Sequence, residues 1–232
     1  MAHIYCSTHL EWRKRKHVPL KRSTTLRNTL QRGVVTLFSS HGSEPLKFWS
    51  ITPGNGSIQR VRSPDIEGLV LDITSESFCQ TYIAAPEDTR LKLGCTLSVL
   101  SIIMEYLNLP FCFEFQLKDS KNMKRRYRVS TSRSKNMLLN SLLCHLPLQL
   151  DVSWNKIVVD LRLLTKLTYG SDYRELLGLQ IYANCRLRNV YVSDRKYSED
   201  ELPKEYVMKE PRLRHQREFK TRLTMDHLYP SY

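Results

Sequence analysis

Apolar positions along this chain recur in short runs rich in β-branched and aromatic residues, not in long amphipathic stretches. Val34 to Phe38, Leu46 to Trp49, Ile58 to Val61, Leu69 to Ile73 and Gln80 to Ala84 form the first series. Turn signals separate them, notably His41-Gly42-Ser43-Glu44-Pro45 and Pro53-Gly54-Asn55-Gly56, where glycine and asparagine accept positive φ. Phe111, Phe113, Phe115 and Leu117 then alternate with Cys112, Glu114 and Gln116, the signature of a half-buried strand with an aromatic inner face. In the next run Tyr127 and Val129 face in while Arg126 and Arg128 face out, and Lys118 to Asn122 supplies the hairpin loop. Leu139 to Leu146, Trp154 to Leu161, Leu177 to Ala183 and Leu187 to Val192 read as further strands. Two segments read as helices. Thr96 to Leu109 is apolar almost all round and stops before Pro110, and Leu161 to Tyr169 ends at Gly170, a C-terminal cap. About ten short strands with two covering helices predict a mainly β fold, an antiparallel β-sandwich of jelly-roll type.

The two ends break the pattern. Residues 1–25 read as an extended basic arm, residues 26–206 as the sandwich domain, and residues 207–232 as a basic tail. Charge follows the same division. The net charge of +13 splits into +7 over residues 1–32, +3 over 33–203 and +3 over 204–232. The body is nearly balanced, and its basic arms, Arg13, Lys14, Arg15, Lys16, Lys21 and Arg22 above all, are suited to an acidic partner. A hydrophobic fraction of 41% is enough to fill a core. The longest apolar run, Leu97 to Phe113, is interrupted by polar residues and Pro110, and the first residues lack the apolar stretch of a secretory signal. A soluble intracellular protein without membrane contact is the expectation.

Chemistry-bearing residues do not assemble into a catalytic set. The six cysteines are far apart and make no Cys-x-x-Cys pair, which fits neither a zinc ribbon nor a redox motif. Cys144 and His145 are neighbours on a strand, so their side chains point to opposite faces and cannot form a nucleophile–base pair. Scattered glycines provide no phosphate-cradling loop. No catalytic residue, metal or cofactor is expected, and the protein reads as a non-enzyme. Trp49 and Trp154 are expected as core anchors. Ser198-Glu199-Asp200-Glu201 is a capping box, and its three carboxylates also make an acidic knob that a partner could read. Lys121, Lys124, Arg125, Arg126 and Arg128, extended by Arg133 and Lys135, form the densest basic patch of the body. Like charges there repel, and an acidic partner would relieve them.

The run Gln180-Ile-Tyr-Ala-Asn-Cys-Arg-Leu-Arg-Asn-Val-Tyr-Val-Ser-Asp-Arg-Lys-Tyr-Ser-Glu-Asp-Glu-Leu-Pro203 resembles the signature of the cilia- and flagella-associated protein 20 family. Matches at Gly42-Ser43, Pro45-Leu46, Trp49, Asn55-Gly56, Thr81-Tyr82-Ile83, Lys121-Asn122, Arg125-Arg126, Trp154-Asn155 and Tyr169-Gly170 extend it from about Leu26 to Tyr206. The chain departs from the pattern in its extra basic arm, its Arg-rich tail, and Asp151-Val152-Ser153, where the family tends to have an acidic pair and a glycine. The resemblance implies a sandwich like those of carbohydrate-binding modules and no enzymatic activity. It further implies a structural microtubule-associated protein at the doublet inner junction of the ciliary or flagellar axoneme, with tubulin and neighbouring junction proteins as partners. A centriolar microtubule-binding protein, a nuclear nucleic-acid-associated protein using the basic arm, and a lectin-like module are the other readings. Candidate partner-binding residues are the basic patch from Lys121 to Arg128, together with Arg186, Arg188, Asp194, Arg195, Glu199, Asp200 and Glu201.

Overall fold

The computed structural model describes residues 25–27, 29–63, 65–66, 68–132 and 138–207. The basic arm up to residue 24, Arg133, Lys135 and the tail from residue 208 lie outside the described residues. Thirteen strands are present in the described part: β1 (Val34–Ser39), β2 (Ser50–Thr52), β3 (Ser57–Ser63), β4 (Gly68–Thr74), β5 (Tyr82–Ala85), β6 (Val99–Tyr106) and β7 (Cys112–Asp119), followed by β8 (Lys124–Ser130), β9 (Leu138–Leu139), β10 (Leu143–Pro147), β11 (Ser153–Asp160), β12 (Tyr173–Tyr182) and β13 (Cys185–Ser193). They build two sheets. One has six strands in the order β11-β6-β13-β4-β3, with β1 also pairing to β13, and the other has seven in the order β2-β5-β12-β7-β8-β10-β9.

Between the sheets lies the core. The seven-stranded sheet contributes Phe113, Phe115, Leu117, Tyr127, Val129, Leu179 and Ile181, and the six-stranded sheet Leu100, Ile102, Met104, Leu187, Val190 and Val192, all essentially without solvent contact. Strand alternation puts the aromatic residues of β7 in one row, and its register with β8 stacks Phe115 on Tyr127 at a centroid separation of 4.9 Å. Tyr127 then turns its hydroxyl to Thr168 at 2.7 Å, which seats the single α-helix of the described residues, α1 (Leu161–Tyr169), on the sandwich. That helix forms as its sequence dictates. The side chain of Asp160 accepts from the Leu163 amide, and Gly170 ends it in the left-handed conformation at φ 59.

The second expected helix is a strand. Val99–Tyr106 lies at the centre of the six-stranded sheet between β11 and β13, with Leu100, Ile102 and Met104 toward the core and Ile103 buried on the opposite face. A segment apolar on both sides suits a central strand as well as a buried helix, and its β-branched content belongs with the strand. Three further expectations change in detail. Leu46 to Trp49 is a turn leading into β2, and Trp49 is buried with its indole donating to the Leu37 carbonyl at 2.8 Å. The run from Leu139 to Leu146 divides into β9 and β10, joined through the turn at Asn140. β10 runs parallel to β8, so the sandwich is antiparallel everywhere but at that pair. The turn at Pro53-Gly54-Asn55-Gly56 forms as expected; Gly54 has φ +52, and a Cβ there would collide with the Gln80 carbonyl oxygen.

Candidate partner-binding faces

Strand geometry sorts the candidate residues onto the two outer faces of the sandwich. Lys121 sits exposed in the β7–β8 turn, where Asn122 takes φ 64, and Lys124 stands exposed at the start of β8. Arg126 and Arg128 face outward from β8, opposite Gln116 and Glu114 of β7. Both close on the Glu114 carboxylate, which is 3% exposed. The Arg126 Nε donates to its Oε2 at 2.6 Å, the Arg128 Nε to its Oε1 at 2.5 Å, and the Tyr182 hydroxyl from β12 adds a third donor at 3.2 Å. Burial by itself would lower the Arg128 pKa, but the Glu114 carboxylate outweighs it and leaves the guanidinium raised. The like-charge repulsion expected along β8 is therefore relieved inside the sheet by one buried glutamate, without an external acid.

Arg125 goes the other way. It shares the inward side with Tyr127 and Val129, and only 8% of it is exposed. Its Nε donates to Asp119 at 2.9 Å, its Nη1 reaches the Ser141 carbonyl, and its guanidinium lies 4.1 Å from the centre of the Tyr169 ring. Burial would raise Asp119, but hydrogen bonds from the Met123 amide, Arg125 and the Ser171 hydroxyl hold it below its ordinary value. Arg125 is thus structural, pinning the β7–β8 turn to the end of α1, while its four basic neighbours point outward.

The remaining candidates lie on the opposite side of the sandwich. Arg186 of β13 bridges two strands, donating to Asp72 of β4 at 3.0 Å and to Glu105 of β6 at 3.2 Å. Arg188 stands at the β13 bulge, half-buried, with no hydrogen-bond partner for its Nε among the described residues. Asp194 accepts from the Gly33 amide at 3.0 Å and from the Tyr197 hydroxyl at 2.9 Å. The capping box forms. Glu201 accepts from the Ser198 amide at 3.0 Å, and Arg195 grips the same carboxylate at 2.7 and 3.1 Å while covering the Tyr197 ring. Glu199 and Asp200 are exposed on that 3-10 turn. Immediately beyond it, Leu202 and Tyr206 pack into a second apolar cluster with Val70, Ile103, Trp154 and Tyr191. The acidic turn is therefore the hinge of a cover over the six-stranded sheet, and Trp154 is a core anchor beneath that cover. The basic patch and the acidic knob sit on different faces and do not form one site.

Sequence reasoning missed a concave feature of the basic face. A groove of about 300 Å³ crosses the seven-stranded sheet, floored by β7 and β12 at Gln116, Gly178 and Gln180. The segment after β5, residues 86–92, walls one side and Lys124 with Arg126 the other. Gly178 permits this closeness, since a Cβ there would press on the Ala85 carbonyl at 3.1 Å. The wall is laced to β12 by the Leu93 amide, which donates to the Leu177 carbonyl at 2.9 Å. The separation of Gly178 from residues 86–92 along the chain left no local signal for it.

Among the thiols, burial pushes Cys144 up to about 12 and Cys95 up to about 11, so both stay protonated at neutral pH. Cys144 is buried while His145 is half-exposed on the other side of β10, so the two do not meet as nucleophile and base.

The family model of the CFA20 domain matches residues 25–210. The chain is 40% identical over 182 residues to Cilia- and flagella-associated protein 20 of Chlamydomonas reinhardtii, covering 78% of this chain and 95% of that protein. It is 38% identical over 181 residues to the protein of the same name from Caenorhabditis elegans, covering 78% of this chain and 89% of that one. Among solved structures, the family 11 carbohydrate-binding module from Clostridium thermocellum aligns with 71% of this chain and 97% of its own, at 13% identity and a TM-score of 0.34.

Proposed function

Because the chain belongs to the CFA20 domain family, we propose that it is a non-catalytic structural protein of the ciliary or flagellar axoneme that binds microtubules at the doublet inner junction. The observation that carries this reading is the match to proteins named for cilia and flagella across 78% of the chain. Electrostatics supports the same direction. A net charge of +13, with Lys121 and Lys124 exposed on one sheet, suits an acidic lattice. Protected thiols and side chains spent on structural bonds fit docking better than turnover.

The test is direct. A tagged copy should remain along detergent-extracted axonemes, and the purified chain should co-sediment with microtubules at low ionic strength. The ionic part should weaken as salt shortens the screening length toward about 8 Å. A signal lost on extraction, together with no sedimentation at any salt concentration, would exclude the reading, and a nuclear signal would favour nucleic acid as the partner.

A further inference from the structure

The groove on the seven-stranded sheet has three properties that together describe an occupant. First, its walls carry unspent positive charge. Lys92 on one side and Lys124 on the other are exposed and have no ion-pair partner among the described residues, whereas the guanidinium of Arg126 is already committed to Glu114. Second, its floor holds an unmet donor, the amide nitrogen of Gln180, which is buried without a hydrogen-bond acceptor. A buried donor in that state calls for an acceptor from outside. Third, none of its lining residues is an exposed aromatic. The one ring present, Phe115, is 1% exposed and belongs to the core. Sugar platforms and single-stranded nucleic acid sites rely on stacking against exposed rings, and this floor offers them amides and a glycine instead.

We infer that this groove is a docking site for an extended acidic peptide segment, rich in glutamate or aspartate. The segment lies between Lys92 and Lys124 and gives a carbonyl or carboxylate oxygen to the Gln180 amide. Successive side chains of an extended peptide point to opposite sides, so one strand of acidic residues can address both walls at once. Gly178 leaves room for its backbone to approach the sheet closely. The inference deepens the docking reading above and rests on it only for which protein carries the acidic segment.

The probe is a fluorescent decapeptide of glutamate titrated into the full chain at low salt and followed by anisotropy, with hydrogen exchange read over residues 86–92 and 176–180. Binding with protection of both segments is expected. The pair Lys92→Glu and Lys124→Glu should weaken it at least about tenfold. Gln180→Leu should weaken it about fivefold, the worth of one hydrogen bond, without lowering Tm. An equal reversal elsewhere, Arg162→Glu with Lys196→Glu, should leave it within about twofold. Equal losses from both pairs, no loss from the groove pair, absent protection, or displacement of the peptide by an oligothymidylate or a β-glucan tetrasaccharide at lower concentration would each overturn the assignment. This titration alone decides the groove and microtubule sedimentation alone decides the functional reading, so either can fail without the other.

Discussion

The two outer faces of the sandwich start from the same strand alternation and end in opposite states. On the six-stranded sheet the outward positions Val70, Ile103, Trp154 and Tyr191 form an apolar patch beside the Arg186–Asp72–Glu105 ion pairs, and the segment carrying Leu202 and Tyr206 folds back to seal that patch. On the seven-stranded sheet the outward positions Glu114, Gln116, Arg126, Arg128 and Gln180 are polar, satisfied largely by each other and left beside a groove. The difference teaches that the cover is dictated by what the strands present. Apolar outward rows need a second layer of chain, whereas a polar row that neutralises itself can stay at the surface and remain available to a partner.

The comparison can be broken first on the sealed face. Trp154→Ala removes a buried ring under the cover and should cost about 3–5 kcal/mol, lowering Tm by about 10 °C in a thermal melt. Tyr206, whose ring lies 4.9 Å from that of Tyr191 in the same cluster, should be less tightly held. Next in size is the centre of the open face. Glu114→Gln leaves Arg126 and Arg128 half-buried around a neutral amide and should cost about 2–4 kcal/mol by urea titration. A loss below 0.5 kcal/mol (roughly the scatter of ordinary surface changes) would mean that the face does not depend on its own glutamate.

A smaller effect is expected at the end of the sandwich, where Ser153 opens β11 with φ 115. The Asn155 amide holds that backbone, donating to the carbonyls of Asp151 at 2.7 Å and Ser153 at 2.8 Å. Ser153→Gly relieves the strain and should stabilise by about 1 kcal/mol, visible as a higher urea midpoint. Smallest is the pH response of the cover. Arg195 first, then the Ser198 amide, pull the Glu201 carboxyl from its ordinary 4.5 down to about 2. A carboxylate depressed in the folded state contributes stability that is complete above its unfolded value and lost as pH falls through the folded one. Trp154 fluorescence should therefore shift between about pH 4.5 and 2 as the cover loosens, and Arg195→Ala should move that transition to higher pH. An unchanged transition would detach the capping box from the seal.

Much of this was legible in order along the chain. The alternation from Phe111 to Leu117 and again from Arg126 to Val129 determined which side chains entered the core. Gly170 marked the end of α1 because caps are local chemistry, and Ser198 with Glu201 announced the capping box for the same reason. The basic patch was visible as composition, but its neutralisation was not. Pairing Glu114 with Arg126 and Arg128 requires the β7–β8 register; Arg125 is in phase with Tyr127 and Val129, but the partner that lets it stay inward, buried Asp119, is supplied only by the folded turn.

By itself, then, the sequence determined the β class, the family signature, the helix caps and the inward aromatic row, because each depends on residues within a few positions of one another. Only the tertiary structure decided that Val99–Tyr106 is a central strand, that the acidic turn hinges a cover, and that residues 86–92 meet Gly178 to form a groove. An apolar run has no preferred partner until a sheet buries both its faces, and a groove has no existence until distant segments close upon it.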